Sequence, residues 1–151
     1  MKHTVLSYVL LVLFALTATT TQAQNQGAKP ALFTNFPDII NCTPEVLNQA
    51  FSFAAGQDAT ISGSSNFLFI GKLLSNTTRY DSLQTVVIRS AAFSDAIFVL
   101  SKLTGSGNKI EYRGRIINTK YADGYELKKD DAGNYQLVKF ETDKLLPDCR
   151  Q

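Results

Sequence analysis

The chain has 151 residues, 44% of them hydrophobic and 19% charged, with 15 basic side chains against 13 acidic ones. That is a globular composition with room for one ordinary domain, and it excludes a disordered or coiled-coil protein. Two cysteines, no tryptophan and a single histidine, His3, exclude much of catalytic chemistry as well.

The chain opens on a short basic start, Lys2 and His3, followed by an apolar run from Val5 to Leu16. A polar stretch then leads to small residues at Thr21 and Ala23. This pattern predicts a secretory signal peptide over 1–23, cut after Ala23. The run is too short for a bilayer-spanning helix, which needs about 20 apolar residues. The expected localisation is therefore secreted or periplasmic, with no stable membrane span after signal cleavage.

The mature chain would run from Gln24 to Gln151 with no histidine and with 14 basic residues against 13 acids. Without an imidazole there is no Ser-His-Asp or Cys-His catalysis, no HExxH zinc helix and no histidine-ligated haem. Two thiols cannot build a four-thiolate metal site, and neither GxGxxG nor a GxxxxGK[ST] phosphate loop is present. No cofactor and no metal site are expected. A near-neutral chain also lacks the charge footprint of a nucleic-acid binder.

Residues 24–40 read as an N-terminal arm, polar to Lys29 and then carrying Phe33, Phe36, Ile39 and Ile40 for packing on the body. Residues 41–151 read as a single α+β domain. Thr43-Pro44-Glu45 is a helix start, a hydroxyl N-cap followed by proline at the first helical position. Val46, Leu47, Ala50, Phe51 and Ala54 share one face, which predicts an amphipathic helix over 44–55 ended at Gly56.

Everything after Gly56 reads as strands and turns. Strands are predicted over 66–74, 83–90, 96–103, 109–120, 125–129 and 135–141, with a shorter candidate at 59–63. The connections are too short for crossovers, so neighbouring strands pair antiparallel. The fold class is α+β: one N-terminal helix packed on a six- to seven-stranded antiparallel meander. The alternative is a small up-and-down β-barrel. Two-residue hairpin turns at Ser106-Gly107 and Asp123-Gly124 predict that Leu103 faces Ile110 and Val99 faces Gly114. In the last hairpin Tyr125 is set against Phe140 and Leu127 against Val138. These residues form the predicted core face. The other face pairs Lys102 with Glu111 and Glu126 with Lys139, yet also carries Phe98, Leu100, Ile117 and Leu137. The helix or the 30–40 segment is expected to cover part of it.

Cys42 and Cys149 are the only thiols, and an even pair in an exported chain predicts a disulfide. It would close a loop of 108 residues. Arg113 and Arg115 alternate onto one face of a single strand, with Arg89, Lys102, Lys128 and Lys139 as neighbours. Arg89, Arg113 and Arg115 are therefore a candidate anion-contact surface, although a solvated sheet face with a cation–π contact between Arg115 and Phe98 is the simpler explanation. Tyr112, Tyr121, Tyr125 and Tyr135 are either a ligand-binding face or sheet-core residues with hydroxyls at the rim.

Asp123, Asp130 and Asp131 are most simply turn residues. No EF-hand spacing is present. Ser101 and Lys102 point to opposite faces of a strand and form no catalytic pair. Asn41-Cys42-Thr43 and Asn76-Thr77-Thr78 match the glycosylation acceptor pattern. These features together predict an exported, non-catalytic binding or structural module with an envelope protein or small ligand as partner. The alternative is a small envelope hydrolase using paired carboxylates.

Overall fold

A computed structural model describes residues 29–142. The predicted signal peptide and Cys149 lie outside the described residues. Eight strands form one antiparallel sheet: β1 Ile39–Cys42, β2 Asp58–Ser62, β3 Leu68–Arg79, β4 Leu83–Ser90, β5 Ala96–Thr104, β6 Ile110–Ile117, β7 Asp123–Lys129 and β8 Tyr135–Glu141. Their order is β1-β8-β7-β6-β5-β4-β3-β2. The sheet has eight strands rather than the expected six or seven, with β2 to β8 running as an antiparallel meander. The extra strand, β1, precedes the helix and pairs with β8, setting Ile39 against Val138 and Cys42 against Tyr135.

The sheet curls into a half-barrel whose outer strands, β1 and β2, approach each other at one end. There the Ser64 N–H donates to the Asn41 carbonyl at 2.9 Å, and the Asn41 N–H donates to Ser64 Oγ at 2.9 Å. Gly63 lies at this seam, and a Cβ on it would collide with the Ile40 side chain. The two edges touch but form no ladder, so the closed barrel is not reached.

The helix is shorter than its apolar spacing predicts. Helix α1 spans Pro44–Gln49, with Thr43 Oγ1 accepting the Val46 N–H. It tightens into a 3₁₀ turn over Ala50–Ser52. The backbone is extended by Phe53, before Gly56 can act as a stop. The cause is a side chain from the sheet. Asn76 Nδ2 donates to the carbonyls of Phe51 and Phe53, both at 3.0 Å, and so satisfies the end of the turn without further helix. Asn76 falls just beyond 66–74, outside the strand that the sequence predicts there. It lies instead inside β3, which is irregular at Leu74 and ends at a tip around Tyr80 and Asp81.

The hairpin register differs from the expected one by a single residue in two places. Leu103 pairs with Glu111 and Val99 with Arg115; Tyr125 pairs with Lys139 and Leu127 with Leu137. The reason is loop length. Gly105 is hydrogen-bonded to Lys109, so that loop has three residues rather than two, and Asp130 is bonded to Asn134, which leaves a three-residue loop over 131–133. Each loop ends on a left-handed residue, Asn108 (φ 62°) or Gly133 (φ 89°). A one-residue slip flips a strand's faces. Phe98, Leu100 and Leu137 are therefore core residues, whereas Val99, Leu103, Val138 and Phe140 lie on the outer face. Ile116, Tyr125 and Leu127 stay inside as expected.

Asp123-Gly124 is not a turn either. Both residues begin β7, and the β6–β7 connection turns at Asn118, whose carbonyl accepts the Tyr121 N–H. Gly124 is required where β6 comes close, since a Cβ there would lie 2.5 Å from the Ile116 carbonyl oxygen.

The face that the sequence leaves in need of a cover is the core face, and both expected covers occupy it. Leu47, Ala50 and Phe51 close one end of the half-barrel, and Phe33 and Phe36 close the other. Phe33 meets Tyr125 edge to face at 5.0 Å and lies tilted against Phe93 at 5.4 Å, and Phe69 lies parallel to Phe93 at 5.5 Å. The arm is stitched down as well as packed. The buried Asp123 carboxylate accepts the N–H groups of Leu32 (2.6 Å) and Phe33 (2.8 Å). The Tyr125 hydroxyl donates to the Pro37 carbonyl (2.6 Å), and Lys139 Nζ donates to that of Phe36 (2.6 Å).

A candidate binding groove between β6 and β7

The joint between β6 and β7 is the shortest among the long strands. Only Ile116–Tyr125, Arg115–Glu126 and Gly114–Leu127 are paired, whereas β4–β5 and β5–β6 each pair over eight residues. Beyond Gly114 the next hydrogen-bonded rung would join Tyr112 to Lys129, and it is not made. The Tyr112 N–H donates instead to the hydroxyl of Tyr135, which reaches across from β8 at 3.1 Å. The rings of Tyr112 and Tyr135 meet edge to face at 5.4 Å and form the floor of an open groove of about 660 Å³.

Charged side chains line the groove. Arg113 and Arg115 project from β6 with Glu111; Glu126, Lys128 and Lys129 come from β7. Arg115 contacts Glu126 at 2.6 Å and Lys128 contacts it at 3.4 Å, while Arg113 pairs with Glu111 at 2.8 Å. Hydrogen bonding from Arg115, aided by its charge and by Lys128, holds the Glu126 carboxyl below its ordinary value. Lys129 Nζ sits 5.2 Å over the Tyr135 ring. Four cations thus share the groove with two carboxylates. Burial raises the pKa of the Tyr112 hydroxyl.

The predicted arginines divide. Arg113 and Arg115 line the groove together, but Arg89 does not belong to it. It lies on β4 opposite Lys72 and Ile97, with the whole of β5 between it and β6. The expected Arg115–Phe98 contact is replaced by Arg115 over Phe140 at 5.6 Å, because Phe98 is inside. The expected Lys102–Glu111 and Glu126–Lys139 pairs are replaced by Glu111–Arg113, Glu126–Arg115 and Lys139–Asp38 (3.1 Å).

The four tyrosines divide as well. Tyr112 and Tyr135 belong to the groove, whereas Tyr125 is buried in the aromatic core and Tyr121 bonds Ser94 Oγ at 3.2 Å. The strand-spanning Tyr135 contact was out of reach of the sequence because it depends on the β7–β8 register. Asp123, a turn residue by its sequence context, is instead the clamp on the arm. Cys42 is buried, and that burial pushes its thiol up to about 11. Among the described residues no group of three or more His, Cys, Asp or Glu could hold a metal ion. No family model, curated protein or solved structure matches this chain.

Proposed function

We propose that this chain is an exported, non-catalytic binding module that receives an anionic ligand at Arg113 and Arg115 in the β6–β7 groove. The observation that carries the reading is the interrupted ladder, which opens a tyrosine-floored recess with an excess of cations on its walls. Concave sites with a few convergent polar groups are where ligands usually bind. The leader-like sequence over 1–23 supports export.

Non-catalysis is supported by the duties of the acids. Glu126 neutralises Arg115 and Lys128, Asp130 is held below its ordinary value by bonds from Asn134, and Asp123 anchors the arm. A hydrolase of the paired-carboxylate kind needs one acid with a raised pKa beside a second ionised one. Acids held low by cations and turn amides favour binding over proton transfer.

The test is a capture experiment run beside a screen of glycan and ester substrates. The tagged protein should retain a ligand or partner from its own extracellular or envelope fraction, and Arg113→Glu with Arg115→Glu should release it. Turnover that vanishes in Glu111→Gln, Glu126→Gln or Glu141→Gln, with the fold intact, would overturn the reading.

A further inference from the structure

We infer that the groove takes an acidic peptide segment in extended form, paired through its main chain to the unmade rung between Tyr112 and Lys129. The inference rests on the groove being a binding site and goes further by naming what fills it.

Main-chain direction supplies the argument. In an antiparallel ladder the N–H and C=O of alternate residues face the same neighbour. The Tyr112 N–H points across β6 toward Tyr135, and the Ile116 carbonyl lies against Gly124 of β7. Tyr112, Gly114 and Ile116 therefore present their main-chain groups to β7, and Leu127 and Lys129 present theirs to β6. Gly114 and Leu127 satisfy each other. At the next rung the carbonyl of Tyr112 and both main-chain groups of Lys129 face the gap. A donor and acceptors held at strand geometry match a peptide backbone, which offers both kinds of group at the same spacing.

Charge selects the side chains. A strand bound here lies among Arg113, Lys128 and Lys129, with Arg115 at the closed end of the gap and Glu111 and Glu126 as the opposing charges. Two cations remain in excess, so Asp or Glu at alternate positions of the ligand suits the outer walls. Arg113 and Lys128 are the most exposed of the paired cations, with 72% and 57% of their side-chain surface accessible. Both are free to turn toward a new carboxylate without uncovering the core.

The test is an NMR titration of the protein purified from an exporting host, with an alternating Val-Glu hexapeptide as probe. A sulfated oligosaccharide and a neutral oligosaccharide serve as comparison ligands. The expected result is saturable shifts at Gly114, Leu127 and Lys129, with at least tenfold slower hydrogen exchange at the Lys129 amide. Affinity should fall at least tenfold in the Arg113→Glu, Lys128→Glu double variant, whose unbound spectrum checks its fold. Peptide binding without Lys129 protection would overturn the strand-pairing inference and leave an anion-binding groove in place. Preferential binding of the sulfated sugar would do the same, whereas shifts only with the neutral sugar would overturn the anion reading too. No groove response to any probe would overturn the groove as a binding site.

Discussion

Phe98 and Phe140 are both aromatic strand residues, yet they contribute on different scales because they lie on opposite faces of the sheet. Phe98 is fully buried and packs 5.7 Å from Phe69. Phe140 is half-buried on the outer face beneath the Arg115 guanidinium. Truncating a buried phenylalanine costs about 3–5 kcal/mol, through lost burial and the cavity left behind. Truncating a half-exposed ring loses part of its contact and one cation–π interaction, roughly 1–2 kcal/mol in all. Phe98→Ala should therefore shift the denaturant midpoint far more than Phe140→Ala. The reverse order would restore the turns and the register that the sequence suggests for these hairpins. Those turns failed for a definite reason. Gly107 marks the loop correctly, but the residue that ends it in the left-handed region is Asn108, which extends the loop by one. Both three-residue loops displaced their strands by the same step, so the two hairpins agreed with each other while both were wrong. The existence and direction of nearly every strand were legible from β-branched runs and turn residues. Parity was not, because one residue of loop length decides it.

Among the elements, the β6–β7 joint combines the fewest rungs with the most charge. Its middle rung carries Arg115 opposite Glu126, so the ion pair lies on the same bridge as the ladder. Glu126 has its folded pKa lowered below the ordinary 4.5. The sign follows directly: the pair stabilises the fold above that ordinary value, and the contribution is lost as pH falls through the folded one. The Glu126 side chain is partly exposed at the surface, and surface pairs contribute less than about 1 kcal/mol. Glu126→Gln should therefore be slightly less stable than the parent at neutral pH, with the gap closing in acid below pH 4.5. Chemical denaturation at pH 7 and pH 3 measures it. A gap that persists unchanged at pH 3 would assign the loss to something other than this charge. The groove itself was only half legible. Arg113 and Arg115 on one strand could be read by alternation, but the missing rung beyond Gly114 depends on how two strands separate in space. No local pattern records that.

At the scale of the whole molecule, the two ends of the described chain bear on one problem, namely what holds an incompletely closed barrel in shape. Strand β1 is joined to β8 over four residues and to the far side of the sheet by the contacts of Asn41 and Ser64. Cys42 ends β1 opposite Tyr135, the first residue of β8, so β8 carries the chain away from the thiol toward Glu141. From Tyr135 to Thr142 is about 24 Å of strand at roughly 3.4 Å per residue. The seven residues from Thr142 to Cys149 span at most about 25 Å. Chain length therefore permits a Cys42–Cys149 bridge. It would then tie the β1 edge to the chain end and close a long loop, a stabilisation of roughly 4–5 kcal/mol in the chain-entropy model. Because Cys42 is buried with its thiol raised to about 11, alkylation of the native protein would miss it even when free. The thiols must be counted in denaturant, before and after reduction. The expected outcome is no alkylation until reductant is added, a mass gain of two hydrogens on reduction, and a reduced protein whose β1 amides exchange faster than those of β4 and β5. Two thiols alkylated in denaturant without reductant would remove the bridge, leaving the Asn41–Ser64 seam and the Asp123 clamp to hold the half-barrel.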